Sequence, residues 1–314
     1  MKEKINIIKS VTFISILLLI LNLLSILFTP KNNYAEFGMM QVRANGILGE
    51  KKNTIDVLFI GDSLSYSSFS PLQMYDEQGF TSYVCGTSGQ KLYDSYAFLS
   101  KALDSQTPKI VILETNALFR KFSLSGSLEA KMKAVFPFFE YHNRWKNLSI
   151  NDFNNDVTYT YTDPLKGYKI KNNIKPIANS NYMEEMEKNE EIPKENYKYL
   201  EKIRKKCEEN NIKFVLVSAT SLKNYNYSRH LTIANYANDK KIDYIDLNIN
   251  NVANIDWTKD TCDKGDHLNV HGAKKESSYI AQILKEKYKL PNHKDDIEYF
   301  GWEKSLEKYR SLIG

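Results

Sequence analysis

Five short runs of β-branched and aliphatic residues recur along the chain: 55–60 (IDVLFI), 81–85 (TSYVC), 109–114 (KIVILE), 212–218 (IKFVLVS) and 242–247 (IDYIDL). Each is bounded by turn-forming or polar residues. Between them the pattern changes to a helical period, over 91–104, 194–209 and 230–240, and again from Gly272 onward. Near-continuous apolar strands separated by helices predict a parallel sheet covered on both faces. With right-handed crossovers this is an α/β fold, a three-layer α/β/α sandwich on a mainly parallel five-stranded sheet. Strands three and four are far enough apart to hold much more than one crossover helix, so residues at about 119–193 read as an insertion.

Positions 10–28 (SVTFISILLLILNLLSILF) carry no charge and no polar face. At 1.5 Å per residue this run spans about 28 Å, the thickness of a hydrocarbon core. Lys2, Lys4 and Lys9 precede it, so the positive-inside bias keeps the short N-terminus in the cytoplasm and puts the remainder outside. A cleaved leader would have a shorter apolar run, about 7–15 residues, and a small-x-small site after it. Here the run continues into Phe28, Thr29, Pro30 and Lys31, and an uncleaved anchor is expected. The chain divides accordingly into a cytoplasmic stub (1–9), a transmembrane anchor (10–29), a tether (30–52) and an α/β domain (53–314). It reads as a single-pass protein of the cell membrane.

Composition changes little in this picture. Of 314 residues, 42% are apolar and 26% charged, which suits a folded domain and excludes a disordered or collagen-like chain. The formal charge of +5, from 43 basic and 38 acidic residues, is too small and too evenly spread to argue for nucleic acid. Cys85, Cys207 and Cys262 make no disulfide scaffold and have no zinc spacing. Cys85 ends the second strand and Cys262 stands beside a histidine loop, so both are expected near one edge of the sheet. In an oxidising compartment they could pair.

In such folds ligands bind beyond the carboxyl ends of the strands, and candidate chemistry falls there. After strand one comes Gly61-Asp62-Ser63-Leu64, where Ser63 is either an exposed nucleophile or a helix N-cap. After strand two comes Gly86-Thr87-Ser88-Gly89, a backbone able to approach a ligand closely, or an ordinary turn. Asn116, after strand three, can donate to an oxyanion or cap a turn. Near the C-terminus, Asp263-Lys264-Gly265-Asp266-His267-Leu268-Asn269 precedes the last long helical pattern. A histidine with neighbouring acids suits a general base oriented by a carboxylate.

This order of serine, glycine, asparagine and C-terminal histidine resembles the SGNH hydrolases, the GDSL esterase family. The resemblance runs from Gly61 to His267. It implies an SGNH (flavodoxin-like) fold with Ser63 as nucleophile, His267 as base, and an oxyanion hole from the Ser63 N–H, Gly89 and Asn116. It implies no metal and no organic cofactor. Two departures stand out. The family's G-x-N-D after strand three is here Glu114-Thr115-Asn116-Ala117, and its D-x-x-H has Lys264 where the acid belongs. The acid partner of His267 is then Asp263 or Asp266. An adjacent residue tends to point away in extended backbone, whereas Gly265 can absorb the extra residue before Asp263. Asp263 is therefore favoured, with Asp266 left as a loop or helix-start cap.

The anchor, the insertion and the DHLN-x-x-GA-x-K pattern resemble cell-surface members that handle acyl groups on envelope polymers. The implied activity is a serine-dependent acyl esterase or O-acyltransferase acting outside the cell. Its partners would be an acylated carbohydrate or other envelope polymer, the membrane through the N-terminal helix, and a membrane acyl-transfer protein of unknown identity. The alternative is a catalytically inactive, membrane-tethered binding or assembly protein with the same fold. Within the insertion, 141–146 (YHNRWK) reads either as sugar contacts or as an amphipathic helix packing Trp145 on the core.

Overall fold

The computed structural model describes residues 2–153 and 156–313. Met1 of the expected stub, and Asn154 and Asn155 of the expected insertion, lie outside the described residues. The chain forms two compact units, one of residues 1–42 with 123–161, the other of 43–122 with 162–314.

The larger unit holds the sheet. Its strands are β1 (Val57–Gly61), β2 (Ser82–Gly86), β3 (Ile110–Glu114), β4 (Lys213–Ser218) and β5 (Asp243–Asp246), all parallel, in the order β2-β1-β3-β4-β5. This is the sandwich expected from the five apolar runs, with helices on both faces. Every residue of β1, β2 and β3 is buried, which explains their unbroken apolar character. Only β5, at one edge, is half-exposed along its length.

The opposite edge, β2, is covered. Val84 N–H donates to the Lys166 carbonyl at 2.9 Å, and Gly167 (φ +89°) lies so close that a Cβ would meet the Val84 oxygen at 2.0 Å. Lys166 is buried there on the Glu50 carboxylate at 2.9 Å. Covering an edge in this way removes a template for intermolecular pairing.

Glu276, on the helix Val270–Tyr288, is an isolated acid in the core. Its Oε1 accepts Thr220 N–H at 3.0 Å, and Oε2 has no partner among the described residues. Burial pushes its carboxyl up to about 8. Between the unfolded value of about 4.3 and that value the folded state keeps a proton the unfolded chain has lost, so stability falls as pH rises through this window. Glu276→Gln is expected to exceed the native chain in stability by up to about 5 kcal/mol above pH 8, and to match it below pH 4. Urea unfolding at the two pH values measures the difference.

The smaller unit contains the helix Lys2–Phe28, 27 residues, charged in its first turns and without charge from Ser10 to Phe28, long and apolar enough to cross a membrane. It begins eight residues before the expected run, because 2–9 contains no helix breaker; Thr29-Pro30 follows its end. Only Ser25 and Phe28 are buried along it. Phe28 packs edge-on against Phe138 at 5.1 Å, and the buried Arg144 donates to the Phe28 carbonyl at 2.7 Å and to Asp152 at 2.7 Å. The guanidinium thus satisfies a helix-end carbonyl left without an intrahelical partner.

Two expectations are corrected. Trp145 does not pack on a core: it is 62% exposed, while Tyr141 and Arg144 supply the buried side of that stretch. Cys85 and Cys262 are free thiols. The Cys85 Sγ faces the Ala44 carbonyl at 3.5 Å and the Cys262 Sγ faces the His267 carbonyl at 3.6 Å, so proximity to one sheet edge did not align them.

Candidate active site

The turn after β1 carries the nucleophile candidate. Asp62 keeps an extended backbone and caps the short helix Ser63–Ser68, its Oδ1 accepting Leu64 N–H at 2.9 Å. Ser63 opens that helix and is 6% exposed. The β1–β2 register ends at Gly61↔Gly86, which lays the two following turns side by side. A Cβ at Gly86 would stand 2.3 Å from Ser65 Oγ, so glycine is what allows this close approach.

The histidine loop is closed at its neck by an antiparallel bridge between Thr261 and Leu268. Inside it Lys264 (φ +64°) and Gly265 (φ +84°) are consecutive left-handed residues. They turn the chain back sharply, and Asp263 reaches His267 from four positions away. Asp263 Oδ1 accepts His267 N–H at 2.6 Å, and Oδ2 lies 2.6 Å from Nδ1. On the far side of the ring, Nε2 lies 2.8 Å from Ser63 Oγ. Burial alone would raise the Asp263 carboxyl, but hydrogen bonds from the His267 backbone and ring, with the charges of His267 and Lys171, bring it below the usual carboxylate range.

Asp266 stands differently. Its Oδ1 is 3.6 Å from Nδ1, beyond hydrogen-bond distance, and accepts Asn224 Nδ2 at 2.6 Å. Nor does it start the helix: Asn269 is the cap, its Oδ1 accepting His271 and Gly272 N–H. That part of the expectation is corrected.

Gly89 is half-exposed in the turn after β2, with a left-handed backbone (φ +64°). No acceptor is found among the described residues for the backbone N–H of Ser63 or Gly89. Asn116 begins the turn after β3. Its Nδ2 donates to Asp62 Oδ2 at 2.8 Å, and its Oδ1 accepts from Arg229 at 3.2 Å. The amide orientation is thereby set, with the NH2 group toward the serine turn. The Arg120 side chain donates to the same Asp62 oxygen. Beneath them Glu114 is fully buried. Burial, then the Asp62 charge, push its carboxyl well above the usual range.

Sequence reasoning missed this supporting layer. Arg229 grips Glu190 through two bonds of 2.9 Å, lies 4.4 Å over the Phe119 ring, and donates to the Asn224 carbonyl as well as to Asn116. It joins the asparagine after β3 to the segment that holds Asp266. Only the Asp before Ser63 had a legible signal, that of a helix cap. Arg229→Lys is expected to lower kcat by on the order of tenfold to a hundredfold through displacement of Asn116, with KM little changed. Steady-state kinetics on a small ester, beside a melting curve, separates this from general unfolding.

Asp263, Asp266 and His267 place ligand atoms within 4.8 Å of one another and are the residues that could hold a cation. Both ring nitrogens of His267, however, already face Asp263 and Ser63, which leaves two carboxylates for such an ion. A separate cleft of about 760 Å³ opens beyond β5, lined by Asn181, Asn250, Asn254, Tyr182, Tyr227 and His230 among others. None of Ser63, Asp263 and His267 lines it.

No family model and no curated protein sequence matches the chain. Solved structures do. One assigned to the G-D-S-L lipolytic family, from Desulfitobacterium hafniense, is 15% identical with a TM-score of 0.42, covering 74% of this chain and 100% of that one. A GDSL-like lipase from Bacteroides thetaiotaomicron is 12% identical at 0.38, covering 74% and 88%. TesA is 14% identical at 0.38, covering 73% and 98%.

Proposed function

We propose that this chain is an SGNH-type serine ester hydrolase or O-acyltransferase. It is anchored by its N-terminal helix and works outside the cell on acyl esters of an envelope polysaccharide or related polymer. The observation that carries the chemistry is the line from Asp263 through His267 to Ser63, at 2.6 and 2.8 Å. His267 Nε2 takes the Ser63 proton as Oγ attacks the ester carbonyl. The imidazolium that results is stabilised by Asp263. The tetrahedral oxyanion is held by the backbone N–H groups of Ser63 and Gly89 and by Asn116, each such donor supplying roughly 3–4 kcal/mol in the transition state. His267 then gives its proton to the leaving alkoxide. The acyl-serine passes to water in a hydrolase, or to a sugar hydroxyl in a transferase.

The polymer part of the reading draws support from the cleft beyond β5. Its amides offer paired donors and acceptors, and its tyrosines offer flat apolar faces, groups suited to sugar hydroxyls and rings. The cleft also opens at the same carboxyl edge of the sheet as Ser63. The test is incubation of the full chain with acetylated and unacetylated envelope polymers plus an acyl donor, with product analysis. Released acid alone supports the hydrolase, and newly acylated polymer supports the transferase. Absence of both, together with no labelling by a fluorophosphonate probe, overturns the enzyme reading in favour of a tethered binding protein.

The orientation has its own expected outcome. Protease added to intact cells should remove the globular part and leave the N-terminal helix in the membrane. A protected globular part contradicts the orientation, and a fully secreted product points to cleavage after the apolar run.

A further inference from the structure

We propose that residues 124–153 form a second, interfacial contact with the lipid bilayer, lying beside the point where the N-terminal helix leaves it; this rests on the reading of that helix as a membrane anchor. The helix Leu124–Val135 carries Leu124, Leu128, Met132 and Val135 at spacings of four, four and three. Helical geometry gathers such positions on one face. These four side chains are between 41% and 68% exposed, and Trp145 and Ile150 are 62% and 85% exposed. Exposed apolar side chains gathered on one face mark an interaction site.

What covers it follows from its attachment. Residues 123–161 belong to the same compact unit as the apolar helix. Leu24 and Leu27 of that helix and Phe138, Leu148 and Tyr159 of the segment pack against one buried cluster of Phe28, Met39 and Tyr141, and Arg144 binds the helix's last carbonyl. Leu24 lies four residues inside Phe28, about 6 Å along the axis. The segment therefore reaches to the depth at which interfacial helices lie, ~5–10 Å into the headgroup boundary. Chain that sits at this level meets lipid, and an apolar face is what it needs there. Lys131 and Lys146 supply cations for the headgroups, while Lys133 pairs with Glu129 at 2.7 Å, and an exposed tryptophan is a common interfacial anchor.

Trp145 provides the readout, because Trp257 and Trp302 are each only 4% exposed. The full chain is reconstituted in phosphatidylcholine vesicles with and without lipids brominated near the headgroup end of the chain. Vesicle flotation is scored in parallel. The expected result is co-flotation with loss of tryptophan emission in the brominated vesicles, a loss absent from Trp145→Phe and reduced in Leu128→Asp with Val135→Asp. Co-flotation with no loss of Trp145 emission overturns the second contact while leaving the anchor intact, and points to a protein partner on the patch. Failure to float overturns the anchor reading and this contact with it.

Discussion

Replacing Ser63 with alanine is expected to abolish fluorophosphonate labelling and to lower turnover of a small ester by on the order of 10⁶, the loss seen when a serine nucleophile is removed from an intact site. The melting temperature should hardly move. The hydroxyl is 6% exposed and its hydrogen-bond partner is His267 Nε2, so its deletion removes one hydrogen bond worth about 1 kcal/mol and makes a void of one oxygen. The neighbouring serines are poor substitutes. Ser65 Oγ donates to the Asp62 carbonyl at 2.7 Å and Ser67 Oγ to the Ser63 carbonyl at 2.7 Å, and neither faces an imidazole. Ser88 is exposed, and its side chain is hydrogen-bonded with the Tyr66 hydroxyl. Labelling that persists on Ser65, Ser67 or Ser88 in the variant would overturn the assignment of Ser63.

The second large effect is expected at the acid. Asp263→Asn should lose on the order of 10⁴ in turnover, by analogy with the aspartate of serine-protease triads. The amide cannot stabilise the imidazolium, and it favours the wrong ring tautomer. Asp266→Asn should lose far less, because its carboxylate stands 3.6 Å from Nδ1 and already accepts from Asn224. Parallel kinetics of the two variants decide the matter, and a large loss at Asp266 with none at Asp263 sinks the assignment. The stability comparison has a definite sign. The folded Asp263 carboxyl lies below its ordinary value, so its contribution is present above about pH 4 and is lost as pH falls through the lower folded value. The native chain should therefore exceed Asp263→Asn in stability near neutral pH, and the gap should close in acid.

Particular residues show how far the sequence could be read. IDVLFI and KIVILE announced buried strands because side chains buried on both faces of a sheet leave no polar alternation to confuse the pattern. The edge strand β5 was legible for the opposite reason, its short apolar run being cut by Asp243 and Asp246. The histidine loop was legible in its members and not in its shape. Gly265 hinted at a sharp turn, but Lys264 in the left-handed region was not foreseeable, since nothing in a lysine favours it. Trp145 misled, because an aromatic residue at helical spacing carries no label for which of two environments it faces.

The sequence by itself determined the order of strands and helices, the apolar N-terminal helix and the candidates for the reactive groups, Ser63, His267 and the two nearby aspartates. These are local properties: side-chain period, turn chemistry and motif are all contained within a few residues. Only the tertiary structure decided that Asp263 rather than Asp266 lies within hydrogen-bond distance of the imidazole. The same is true of the Asn116 amide, which is oriented by Arg229 from more than a hundred positions away, and of Cys85 and Cys262, which face different carbonyls. Each of these depends on where the packed core sets a loop or a side chain, to within about an ångström or less. Such distances are set by the packing of the whole core and leave no trace in any local run of residues.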